Sequence, residues 1–126
     1  EQSPSSLGSN VESIKSFCST TISKEHFNAC ADGLTTAIPS NRQQCILMGC
    51  ETHVCLMQTA LKLIDGGYDV SVVVDGVGSR RALDKKIALD RLQTAGARLV
   101  TGEMLGFEWL MSAKNPVFKE VLILLK

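Results

Sequence analysis

The stretch with the clearest potential for chemistry is Gly49-Cys50-Glu51-Thr52-His53-Val54-Cys55-Leu56, which holds two cysteines, a glutamate and a histidine. The apolar run Cys45-Ile46-Leu47-Met48 before it predicts a buried strand, and the residues after it predict a helix with Thr52 as the N-cap. Cys55 would then lie in the first turn, where free backbone N–H groups and the helix dipole stabilise a thiolate. Cys55 is therefore a candidate nucleophile, although a cysteine that only packs in the core fits the same pattern.

Length and composition exclude several classes of protein. The chain has 126 residues, 44% of them hydrophobic, which suits one domain with a buried core. Lys plus Arg and Asp plus Glu number 13 each, so the net charge is zero and the chain lacks the basic composition of a nucleic-acid binder. No apolar run reaches the roughly 20 residues that a membrane span needs. We therefore expect no nucleic-acid partner and no membrane partner.

The five cysteines are an odd number, which favours a reducing compartment over a disulfide framework. We expect an intracellular protein, in the cytoplasm first and in mitochondria as the alternative. Three of the cysteines recur at regular intervals, but cysteine ligands of a metal usually stand closer together and need further partners. The chain has only two histidines to complete such a set. No metal site and no other cofactor is predicted.

The elements that must position Cys55 alternate between strand and helix from residue 44 onward. Strands are predicted at 45–50, 70–74 and 98–101, and helices at 52–65, 83–95, 103–112 and 117–125. This alternation is typical of a doubly wound, three-layer α/β/α fold with a mainly parallel sheet. Such sheets place functional groups at the carboxyl ends of their strands, so residues 50–55, 75–80 and 101–103 should meet at one edge.

Residues 1–43 have a weaker pattern, in which only 24–31 predicts a convincing helix. Three strands are few for a sheet of this class, which usually has about five or six. We interpret residues 1–126 as a single domain, irregular or helical over 1–43 and built of regular β/α units over 44–126. The N-terminal strands of the sheet are expected to be missing, as in the C-terminal portion of a larger protein.

Other polar residues have simpler interpretations. The segment Asp75-Gly76-Val77-Gly78-Ser79-Arg80 lacks the glycine patterns of phosphate-binding loops, so we favour a strand-end turn in which Asp75 accepts hydrogen bonds from backbone amides. His53 is two residues from Cys55, about 200° around a helix, and is not expected to pair with it. His26 is predicted to lie on the solvated face of a polar helix.

The chain resembles the isochorismatase-like cysteine hydrolase superfamily, and most closely its isochorismatase-domain-containing proteins. The resemblance rests on the motif around Cys55 and on two following segments, residues 49–55, 59–68 and 72–80. Weaker support comes from residues 1–4, 7–8, 101–104 and 116–120. The resemblance covers nearly the whole chain and implies the α/β fold predicted above.

By this resemblance, Cys55 is the nucleophile that attacks a carbonyl or imine-like carbon and forms a thioester-type intermediate, which water then releases. The family's cis peptide bond would fall between Cys50 and Glu51. Together with Thr52, these residues would form the substrate and oxyanion site, with the N–H groups of Glu51 and Cys55 as donors. The family's lysine maps onto Lys15, which two apolar residues flank, and it would stabilise the thiolate and guide protons.

Some features of the family have no counterpart in this chain. The family's catalytic aspartate ends an opening strand ahead of the residues present here, and Asp32, the only aspartate before Cys55, does not follow a strand pattern. The metal-binding residues of the nicotinamidase branch are also unmatched. A cysteine at position 55 argues against hydrolysis of isochorismate, since enzymes with that activity lack this nucleophile. An amide or similar C–N bond is the better expectation.

Two functions remain open from the sequence. The leading hypothesis is an isochorismatase-like hydrolase that uses a cysteine nucleophile on a small amide-like substrate. The alternative is a catalytically decayed α/β module that serves interaction or oligomerisation. A homo-oligomer is expected.

Overall fold

The computed structural model describes residues 1–125, and Lys126, the last residue of the predicted domain, lies outside the described residues. The strands are β1 (Gln44–Cys50), β2 (Asp69–Gly78) and β3 (Arg98–Val100). The α-helices are α1 (Pro4–Leu7), α2 (Glu12–Lys15), α3 (Leu34–Ala37), α4 (Met57–Asp65), α5 (Ala82–Thr94), α6 (Gly102–Leu110) and α7 (Phe118–Leu124). A 3₁₀ helix spans Ala29–Asp32, and a π-helical turn spans Thr52–Leu56. No helix within residues 1–125 is long and apolar enough to cross a bilayer.

The three strands form one parallel sheet in the order β1, β2, β3, which confirms the predicted α/β class. The crossover from β1 to β2 carries α4, and the crossover from β2 to β3 carries α5. Val70 and Val72 of β2 are buried in one cluster with Leu63 of α4 and Leu92 of α5. β-Branched residues suit a strand covered in this way, so the core fixes β2 beneath both helices.

β2 is longer than the sequence pattern predicts. The glycines and aspartate after residue 74 resemble a turn, but the strand continues to residue 78 after a shift of register between Leu47 and Gly49 of β1. The ammonium group of Lys85 on α5 donates to the carbonyls of Val74 and Val77, at 2.8 and 2.9 Å. A distant side chain thus satisfies backbone groups in the irregular stretch, which local patterning does not reveal.

The N-terminal region differs from the prediction of a helix over residues 24–31. Residues 29–32 alone form a short 3₁₀ helix in that region, and Gln2 pairs with Lys24 in an isolated parallel bridge. His26 is not on a helix, because the Asp32 carboxylate accepts its backbone N–H and lies 3.0 Å from its imidazole. The hydrogen bond from His26 lowers the pKa of Asp32. These local contacts compete with helix formation and fold the segment back on itself.

Candidate active site

The carboxyl ends of the strands meet at one edge of the sheet, as predicted, and polar contacts connect them. The hydroxyl of Thr52, just after β1, donates to the carbonyl of Gly78 at the end of β2, at 2.8 Å. The carboxylate of Asp75 accepts the backbone N–H of Gly102 at the start of α6, at 2.9 Å. Asp75 therefore accepts from a backbone amide, as expected, although it lies within β2 rather than in a turn after it.

Cys55 lies in the π-helical turn that follows β1. Thr52 is the first residue of that turn and Glu51 is the N-cap, so the prediction of Thr52 as the N-cap is wrong. The reason is that Thr52 is completely buried and directs its hydroxyl to the distant Gly78 carbonyl instead of the turn's own N–H groups. Cys55 is the fourth residue of the helical segment, near the positive end of its dipole.

Cys55 and Cys50 line the same cavity, which has a volume of about 940 Å³. Apolar side chains form most of its walls, namely Val11, Ile14, Phe17, Leu47, Met48 and Leu56. The other lining residues are Ser9, Asn10, Gly49, Thr59 and Gly76. The peptide bond between Cys50 and Glu51 is cis. Both cysteines therefore border a space large enough for a small molecule.

The surroundings of the five cysteines differ, and all five are free thiols. Cys30 and Cys45 pack against the hydrophobic core, and burial raises the pKa of each thiol. A raised pKa lowers the fraction of thiolate and therefore the reactivity near neutral pH. Among residues 1–125, no three His, Cys, Asp or Glu side chains converge in a way that could hold a metal ion.

A lysine is connected to Cys55, but it is Lys24 and not Lys15. The ammonium of Lys24 donates to Oε1 of Gln2 at 2.5 Å, and Sγ of Cys55 lies 3.9 Å from the same oxygen. Lys15 pairs instead with Glu12 at 3.9 Å, and its side chain is 49% exposed. Lys15 does not line the cavity that contains Cys55.

The local sequence pattern does not single out Lys24, because contacts between distant parts of the chain create its position. The Ser3 N–H donates to the Lys24 carbonyl at 2.8 Å, which lays residues 1–3 alongside Lys24. The carbonyls of His26 and Phe27 also accept from its ammonium, each at 3.2 Å. The one local signal is the β-branched run Thr20-Thr21-Ile22, which favours extended backbone before Lys24.

The polar contacts described for His53 are to residues other than Cys55, in agreement with the expectation that the two do not pair. Its Nδ1 lies 3.0 Å from the hydroxyl of Ser79 and 3.6 Å from Oε2 of Glu51. Its Nε2 lies 3.9 Å from a carboxylate oxygen of Asp84. His53 is not among the residues that line the Cys55 cavity, so its contacts belong to the opposite side of the turn.

Comparison with known proteins identifies the family of this chain. The isochorismatase domain family matches residues 11–104. Isochorismatase domain-containing protein 2 of Xenopus laevis is 37% identical over 123 residues, which are 96% of this chain and 60% of that protein. The structure of MAR1 ribonuclease from Caenorhabditis elegans has a TM-score of 0.88 and 35% identity, over 98% of this chain and 66% of that one.

A further solved structure describes an assembly. The YcaC gene product of Escherichia coli, an octameric hydrolase of unknown specificity, has a TM-score of 0.72 and 30% identity, over 79% of this chain and 52% of that one. This chain spans about half the length of the curated relatives that it matches. The matched residues include all three strands and the cysteine-bearing turn. The chain belongs to the isochorismatase domain family, as its sequence resemblance predicts.

Proposed function

We propose that the protein is a hydrolase that uses Cys55 as its nucleophile on a small amide-like substrate. The observation that carries this proposal is the position of Cys55, in the turn at the strand ends, lining a cavity of about 940 Å³. The thiolate attacks the carbonyl carbon, a C–S bond forms, and the C–N bond breaks as the nitrogen takes up a proton and leaves. Water then cleaves the thioester, which releases a carboxylic acid and restores the thiol.

The other site residues have distinct roles in this proposal. The N–H groups of Glu51 and Cys55 stabilise the developing oxyanion, each contributing about 3 to 4 kcal/mol. Cys50 shapes the cavity wall, and Thr52, whose hydroxyl is engaged with a carbonyl of β2, holds the turn in place. Lys24, rather than Lys15, is the lysine that we propose assists Cys55, because its ammonium and the Cys55 thiol contact the same oxygen of the Gln2 side-chain amide.

The substrate class and the assembly are parts of the same proposal. An amide-like C–N bond is favoured because the family resemblance pairs a cysteine nucleophile with such bonds. The Caenorhabditis elegans neighbour is named a ribonuclease, so RNA is a second substrate to test. A chain with zero net charge and an apolar cavity attracts the RNA backbone only weakly, which favours the small amide. The match to a hydrolase family does not favour the decayed-module alternative. The octameric neighbour supports a homo-oligomer.

Thiol labelling and a substrate panel test the proposal together. Near neutral pH, we expect iodoacetamide to modify Cys55 at least about tenfold faster than Cys30 or Cys45, because burial raises the pKa of the latter two thiols. Peptide mass spectrometry at increasing times measures the three rates. Labelling should also abolish turnover of small amides and of p-nitrophenyl acetate.

Two results would count against this assignment. Equal labelling of Cys55, Cys30 and Cys45 would show that Cys55 has no special reactivity. Cleavage of an RNA oligonucleotide that survives complete labelling of Cys55, with no amide or ester turnover, would assign the activity to different chemistry.

A further inference from the structure

Three consecutive residues before Cys55 each contact the segment 78–80, which begins at the last residue of β2. Glu51 Oε2 lies 3.2 Å from Arg80 Nε, Thr52 Oγ1 donates to the Gly78 carbonyl at 2.8 Å, and His53 Nδ1 lies 3.0 Å from Ser79 Oγ. We propose that Arg80, acting through the Glu51 carboxylate, is a positioning residue for acyl transfer at Cys55. This inference rests on the function proposed above.

The Glu51 carboxylate has partners on more than one side. Besides the guanidinium of Arg80, the backbone N–H of Arg80 approaches the same oxygen at 3.5 Å. The imidazole of His53 lies 3.6 Å from it, and that ring also faces Asp84 at 3.9 Å. His53 also contacts a second carboxylate, that of Asp84. Among the described ion pairs, Arg80 is therefore the one permanently charged residue that pairs with Glu51, and it pairs with no other carboxylate.

The exposure of this ion pair determines what it can do. The side chains of Arg80 and Glu51 are 80% and 28% exposed, and an ion pair in such surroundings contributes little to the stability of a fold. Its influence on chemistry is expected to be much larger. Misplacement of a reacting or stabilising group by about 1 Å can lower a rate by about 100-fold.

Charge gives Arg80 a second effect on the same step. The backbone N–H of Glu51 is a proposed oxyanion donor, so the carboxylate of Glu51 belongs to the residue that must stabilise negative charge. Without a cation beside it, that carboxylate would repel the developing oxyanion. Arg80 therefore both fixes the Glu51 residue and offsets the negative charge of its side chain.

Substitution of Arg80 and its neighbour tests this inference in the full chain. Arg80→Gln is expected to lower kcat for p-nitrophenyl acetate by about 10- to 100-fold, with KM changed by less than about threefold. The matched control is Arg81→Gln, which removes the same charge one residue away, where no ion pair is found within residues 1–125. Arg81→Gln should keep kcat within about twofold of the wild type, because a surface substitution of this kind has little effect.

A second measurement separates positioning from general damage to the fold. Alkylation of Cys55 by iodoacetamide displaces iodide from a saturated carbon and needs no oxyanion donor. The alkylation rate should therefore stay within about twofold of wild type in Arg80→Gln, although acyl transfer falls. The melting temperature should change little, and Arg80→Lys, which keeps the charge, should retain more turnover than Arg80→Gln.

The possible outcomes are distinguishable. Equal losses in Arg80→Gln and Arg81→Gln, or a parallel loss of alkylation and acyl transfer in Arg80→Gln, would overturn the positioning role. Full turnover in Arg80→Gln would overturn it as well. Failure of the underlying hydrolase proposal has a different signature, because turnover would then persist when Cys55 itself is replaced.

Discussion

Cys55→Ala is expected to lower the turnover of amide and ester substrates by at least about 10³-fold, because it removes the atom that forms the covalent intermediate. Steady-state hydrolysis of p-nitrophenyl acetate and of a panel of small amides measures the loss. Thermal unfolding of the same variant checks that the fold is intact. The effect is the largest that we predict for any single substitution in this chain.

The matched control for this substitution is Cys45→Ala, which makes the same chemical change on β1 away from the cavity. Cys45 packs against the core, so its loss should affect stability more than kcat. If Cys55→Ala kept most of its activity while Cys45→Ala lost it, the nucleophile would have to be sought elsewhere.

Lys24→Met is expected to lower turnover by about 100-fold, because it removes the ammonium that shares the Gln2 amide oxygen with the Cys55 thiol and that we propose assists the nucleophile. The same variant should also react more slowly with iodoacetamide near neutral pH, because removal of a nearby positive charge makes the Cys55 thiol less reactive. Alkylation rates of the variant and of the wild type, measured side by side, provide the test.

Lys15→Met provides the matched control, since it removes an identical charge from a half-exposed lysine paired with Glu12. We expect its turnover to stay within about twofold of the wild type. A loss of turnover in Lys15→Met with full activity in Lys24→Met would restore the assignment made from the sequence resemblance and exclude the one drawn from the geometry.

The sequence predicts the regular β/α part of the fold well because its signals are local. The apolar run before Gly49 and the β-branched run at residues 70–74 identify two adjacent parallel strands, and Gly66 ends the helix between them where predicted. Parallel topology then places the strand ends on one edge without further information. Cys55 could be singled out for the same reason, since its position after a strand and within a helical turn is a local pattern.

The features that the sequence does not reveal depend on contacts between distant residues. The Thr52 hydroxyl donates to the Gly78 carbonyl, 26 residues away, and so does not cap the turn that it begins. Lys85 supports the extension of β2 from a different element. Lys24 reaches the site only because its backbone pairs with Gln2. No pattern of spacing within either segment encodes these pairings, which tertiary structure alone creates.

The most direct measurement is the mass of the protein quenched with acid during turnover of p-nitrophenyl acetate, followed by peptide mapping. We expect the trapped protein to carry one acetyl group, located on the peptide that contains Cys55 and released by hydroxylamine, as a thioester should be. Turnover with the acetyl group on Cys50, on Ser79 or on no residue at all would contradict nucleophilic catalysis by Cys55.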